Sequence, residues 1–86
     1  MPEISRFFGI VIRMFWDDHD PPHFHAFYGD DVALVDIATL SVFAGGLPPR
    51  ALGLVIEWAT LHRQELLDDW RNARNQRPLK KIEPLR

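Results

Sequence analysis

Apolar and polar positions alternate in short runs through the first half of the chain and at helical spacing through the second. In "FFGIVIRMFW", residues 7–16, one parity carries Phe8, Ile10, Ile12, Met14 and Trp16, and the other Phe7, Gly9, Val11, Arg13 and Phe15. Both sets are largely apolar and rich in β-branched and aromatic residues. This predicts one central strand, covered fully on one face and partly on the other. "HFHAFY", residues 23–28, reads as a second strand, entered from two prolines that cannot donate ladder hydrogen bonds. "GDD" at 29–31 is a turn signal, "VALVDI" at 32–37 a third strand, and "LSVFAGG" at 40–46 a short fourth. Strand, loop, strand, tight turn, strand is the order of an antiparallel meander.

From residue 47 the period changes. "LPPRALGLVIEWATLHRQELLDDWRNARN", residues 47–75, predicts one long helix with Pro48 or Pro49 in its first turn. At about 100° per residue, Leu52, Val55, Ile56, Ala59, Leu66 and Trp70 share a face that should lie on the sheet. Leu54, Trp58 and Leu61 form a ridge on nearly the opposite side. Large apolar side chains on two faces need two covers, so the ridge predicts a partner protein, a second copy of the chain, or the segment 76–86 folded back. The expected fold class is therefore α+β: an antiparallel meander of three to four strands packed on one long helix. It forms a single domain, with 1–46 the sheet part, 47–75 the helix and 76–86 a basic tail.

At 86 residues there is room for one core only, and a chain this short needs that core well packed or shared with a partner. Six Phe, three Trp and one Tyr within a 47% hydrophobic composition supply it and exclude a disordered chain. The absence of cysteine removes disulfides and thiolate metal sites together. No run reaches the ~18 apolar residues of a membrane span, and the N-terminus lacks a signal-peptide pattern, so a cytoplasmic location is expected. The formal net charge of −2 hides an asymmetry: residues 1–70 hold four basic and eleven acidic side chains (4 − 11 = −7), and residues 71–86 hold six and one (6 − 1 = +5). The acidic body argues against a whole-surface nucleic-acid binder, while the basic 71–86 segment leaves a nucleic-acid contact open.

The chemistry is concentrated in "DDHDPPHFHAFYGD", residues 17–30, which holds three of the four histidines. Strand periodicity puts His23 and His25 on one face, about 6.6–6.8 Å apart along the chain. Asp20 is extended because it precedes proline, and Pro21-Pro22 stiffens the link back to His19. As a metal site, His19, His23 and His25 with Asp20 (or Asp17 or Asp18) would suit zinc or a redox-active iron or nickel ion, with His62 available as a distant ligand. As a metal-free catalytic pair, His23 and His25 could serve as acid and base in RNA cleavage, with Arg13 or Arg6 stabilising the phosphorane-like charge. As a structural corner, the histidines would satisfy loop carbonyls and carboxylates. The residues alone leave all three open.

In combination, "GIVIRMFW", "DHDPPHFHA" and "EWATLHRQELLDDW" resemble a small bacterial family, domain of unknown function 4160, over essentially the whole chain. The resemblance implies a compact α+β domain encoded by bacteria and phage-like elements. Its gene often lies beside that of another small domain of unknown function, of the type numbered 2442, in what looks like a two-gene toxin–antitoxin module. A protein–protein complex or homo-oligomer follows as an expectation. It marks Arg13, His19, Pro21, Pro22, His23, His25, Trp58 and His62 as motif positions and assigns none of them a role.

Overall fold

The structure is a computed structural model that describes residues 2–86. Five strands run β1 (Glu3–Phe7), β2 (Ile10–Arg13), β3 (His23–Tyr28), β4 (Asp31–Asp36) and β5 (Val42–Gly45), followed by helices α1 (Pro49–Leu61) and α2 (Arg63–Arg74). The strands form one sheet in the order β1-β2-β3-β4-β5, each antiparallel to the next. The α+β character and the meander stand, but both element counts expected from sequence need correction. Among the described residues there are five strands where three to four were expected, and two helices where one was expected.

The extra strand comes from a hairpin inside the apolar run. Phe8 and Gly9 take φ of 49° and 79°, leaving Phe7 opposite Ile10 across a two-residue loop. Positive φ at both central residues is the twist of a type I′ turn, which lets two strands pair directly. Residues 7–16 are thus the end of β1, the turn, β2 and the start of a loop. At the next hairpin Gly29, with φ of 58°, occupies the first loop position, where a II′ turn favours glycine.

The helix breaks at His62, whose φ of −123° leaves the helical range. Its N–H bonds back to the Ala59 carbonyl in a tight turn, and α2 starts afresh with the Leu66 N–H on the His62 carbonyl. The His62 ring meets the Glu65 carboxylate in the first turn of α2. The buried stripe nevertheless runs on through the break as Ala51, Val55, Trp58, Ala59, Leu66, Trp70 and Ala73. It packs on the sheet face carrying Ile10, Ile12, Phe24, Ala26, Ala33 and Val35.

Trp58 is therefore central to the core and not part of an outer ridge. It is fully buried, with its ring 5.3 Å from that of Phe7 and 5.8 Å from that of Phe24. Its indole N–H donates to the Glu83 carbonyl at 2.8 Å. Leu54 is half-buried against the same core, and Leu61 alone of the three is exposed. The expected partner surface of Leu54, Trp58 and Leu61 is corrected accordingly: the sheet and the C-terminal segment cover Trp58.

That segment is held by specific bonds. The Ile82 N–H donates to the Ile4 carbonyl at 2.7 Å, the Trp16 indole N–H to the Arg77 carbonyl at 3.0 Å, and the Lys80 N–H to Asp69 Oδ1 at 2.8 Å. Ile82 is buried, and Leu79 and Leu85 pack against the core. Asp69 is itself only 1% exposed. Desolvation pushes its carboxyl above the ordinary value of 3.8, against the opposing pull of the Lys80 backbone N–H and the neighbouring Asn72 side chain. A carboxyl whose folded pKa is raised binds more protons folded than unfolded. Stability should thus fall as pH rises from about 4 through the folded pKa of Asp69. Asp69→Asn should flatten that slope in urea melts repeated across pH, and an unchanged slope would show that Asp69 does not set it.

Candidate metal centre

Antiparallel register builds one side of the site. Arg13, His25 and Leu34 lie opposite one another across β2, β3 and β4, on the sheet face opposite to Phe24 and Ala26. Period two puts His23 on the same face as His25, and the two ring centroids are 5.4 Å apart. The loop after β2 closes the other side. It places Phe15 edge-on to His25 at 4.6 Å and brings the Asp18 carboxylate to both histidines. Asp18 Oδ2 is 3.3 Å from His23 Nε2 and 3.7 Å from His25 Nδ1.

Long-range contacts hold the loop. Asp20 accepts a hydrogen bond from Arg74 of α2 at 3.0 Å, and Trp16 is tied to Arg77. The His23 ring is packed by Trp70 at 5.3 Å and by Phe43 at 5.2 Å. His23 is thus nearly sealed, while Asp18 and His25 keep side-chain exposures of 24% and 16%.

The hydrogen bonds set the chemistry. His23 Nδ1 lies 2.7 Å from the Pro21 carbonyl, which can only accept, so Nδ1 carries the proton. A neutral His23 then presents the lone pair of Nε2 to Asp18. His25 Nδ1 and Asp18 Oδ2 are both buried and without a hydrogen-bond partner. Burial holds the His25 pKa below the ordinary 6.5 and His23 lowers it further, with Asp18 opposing both. With both histidines neutral and the His25 proton on Nε2, three electron-pair donors face one point. Left so, they would repel; a cation between them would satisfy all three.

Their spacing suits one. All three ligand atoms lie within 4.8 Å of one another. Tetrahedral zinc with bonds of about 2.0–2.2 Å sets neighbouring ligand atoms about 3.3–3.6 Å apart. Of the two separations from Asp18, the 3.3 Å one falls within that range and the 3.7 Å one just above it. The Nδ1–H of His23 on a backbone carbonyl is also the outer contact that orients most metal-ligating histidines.

The ligand set expected from sequence changes in two positions. His23 and His25 come together, but the carboxylate beside them is Asp18, not Asp20, which is turned outward to Arg74. His19 is exposed and outside the cluster. His62 sits at the helix junction with Glu65 and Trp58. Arg13, expected as a charge-stabilising group, lies with its guanidinium 5.0 Å from the centre of the Phe27 ring. No local signal distinguishes Asp18 from Asp17 or Asp20; its place depends on the contacts to α2 and to the C-terminal segment.

A family model described as Domain of unknown function (DUF4160) matches residues 9–71, a span that runs from the first hairpin through most of α2 and includes the whole site. No curated protein and no solved structure matches the chain.

Proposed function

The chain belongs to the DUF4160 family, and we propose that this domain binds a single divalent transition-metal ion between Asp18, His23 and His25. Zinc fits the mixed nitrogen and oxygen donors best, and no thiolate is present to select a softer ion. The observation that carries the reading is the convergence of three buried electron-pair donors, two of them with no hydrogen-bond partner, at metal-ligand spacing. Three protein ligands leave a fourth position for water or a ligand, the pattern of catalytic rather than closed structural zinc sites. A water there would lose a proton far more readily than in bulk.

The metal-free ribonuclease reading is less well supported. The reactive nitrogens of both histidines face a carboxylate, which would repel a phosphate entering between the rings. A toxin–antitoxin-like two-gene module is a second reading that rests on the family resemblance alone; the ridge argument for a partner adds nothing to it, because Trp58 is sealed in the core.

Titration of zinc into untagged, chelator-treated protein at neutral pH, against a competing chromophoric chelator, tests the proposal. One equivalent should bind to the wild type, and Asp18→Ala should weaken it by more than the ~10–100-fold typical of losing an outer-shell contact. Equal binding by both proteins would place the metal elsewhere.

A further inference from the structure

We infer that the groove between α2 and the C-terminal segment binds a single strand of nucleic acid. The groove has a volume of about 540 Å³ and is walled by Asp69, Asn72, Arg77, Lys80 and Lys81 among others. It continues across Lys81 and Ile82 into a second depression of about 330 Å³ that reaches Arg6. The two together make a track along the chain's basic end.

The charges left over decide what fits. Of the acidic residues in the groove, Glu65 contacts His62 and Asp68 pairs with Arg71. In the second depression Glu3 is bonded twice to Arg6, and Glu83 pairs with Arg86. Arg77, Lys80 and Lys81 are exposed and make no salt bridge among the described residues. Three cations without a salt-bridge partner thus border a groove in which Asp68 is paired with Arg71 and Glu65 is held by a histidine.

Its floor holds a different group. Asp69 is 1% exposed, and its Oδ2 is a buried acceptor without a hydrogen-bond partner. A nucleotide offers phosphates to the basic rim and base N–H donors to the wall to which Asp69 and Asn72 belong. Bases supply amino and imino donors, which a carboxylate reads in other protein–nucleic acid contacts. Trp16 is 39% exposed and stands beside the groove, with its indole N–H on the Arg77 carbonyl. An aromatic platform next to a basic track is how single strands are held without a fixed sequence. The second depression gives a following nucleotide somewhere to lie, which favours a strand over a mononucleotide.

Fluorescence anisotropy of a labelled short mixed-sequence RNA with the full chain tests this. Three phosphate contacts predict a salt slope near −2, hence about 20-fold weaker binding from about 50 to about 200 mM salt. The triple variant Arg77→Gln, Lys80→Gln, Lys81→Gln should lose at least roughly tenfold in affinity and flatten the slope, since each phosphate contact removed lowers it. Its thermal melt should match the wild type, because all three side chains are exposed. Trp16→Leu should weaken binding about tenfold through lost stacking, and Trp16→Phe should recover most of it. Failure of the strand to bind, displacement of RNA by polyglutamate as readily as by unlabelled RNA, or full affinity in the triple variant would overturn the inference. A mononucleotide binding as tightly as the strand would overturn its extension along the second depression.

Discussion

With zinc present at a hundred times its dissociation constant, the protein should unfold about 10–20 °C above its metal-free melting temperature. The figure follows from mass action: a ligand at that excess stabilises the native state by about 2.7 kcal/mol. Each kcal/mol moves the melting temperature of a domain of 60–100 residues by about 4–8 °C. His25→Ala should abolish the shift, because it removes a ligand nitrogen that is buried and has no other partner. Asp18→Ala separates this account from a purely structural one. If Asp18 serves only to pair with charged histidines, its loss destabilises the metal-free protein. If it is a metal ligand facing two lone pairs, its loss leaves the metal-free melt unchanged or higher and removes the zinc effect alone. The shift should also shrink as pH falls through the range in which the ligand histidines take up protons, since zinc and protons compete for the same lone pairs. Burial holds His25 below its usual pKa, which moves its share of that competition to lower pH.

The second large effect is on the fold itself. Trp58→Ala should cost about 3–5 kcal/mol, the range for emptying a buried Trp or Phe site. Small domains have a total margin of only about 5–15 kcal/mol, so the variant should lose a large share of its stability, and all of it at the low end of that range. The hole would open between Phe7 and Phe24, and the Glu83 carbonyl would lose its donor, loosening the C-terminal segment as well. Trp58→Phe keeps most of the packing and should cost clearly less. Denaturant melts by circular dichroism give both numbers. A Trp58→Ala protein as stable as the wild type would mean that the residue is not packed as described.

Much of this architecture was legible from local pattern. β3 at 23–28 and β4 within one residue of 32–37 followed from alternation and flanking turn residues, and with them the shared face of His23 and His25. What escaped was set by conformation that composition does not mark. The first hairpin turns on Phe8 at positive φ inside a continuous apolar run, with no Asn-Gly or Asp-Gly to announce it. The helix breaks at His62 with neither glycine nor proline nearby, and the buried stripe continues across the break. Trp58 looked like an outer ridge because the C-terminal segment that helps bury it contributes backbone carbonyls, which a hydropathy pattern does not show. Asp18, among three aspartates in four positions, is singled out only by Asp20 on Arg74, by Trp16 on Arg77 and by the facing histidines.

X-ray absorption spectroscopy at the zinc edge, on untagged protein loaded with one equivalent, reads the proposed ligands directly. The predicted first shell holds only nitrogen and oxygen scatterers at about 2.0–2.2 Å, with the outer-shell scattering of two imidazoles. Asp18→Ala and His25→Ala should each change that shell or release the metal. A spectrum showing one imidazole or none, or one left unchanged by either substitution, would contradict a metal centre at Asp18, His23 and His25.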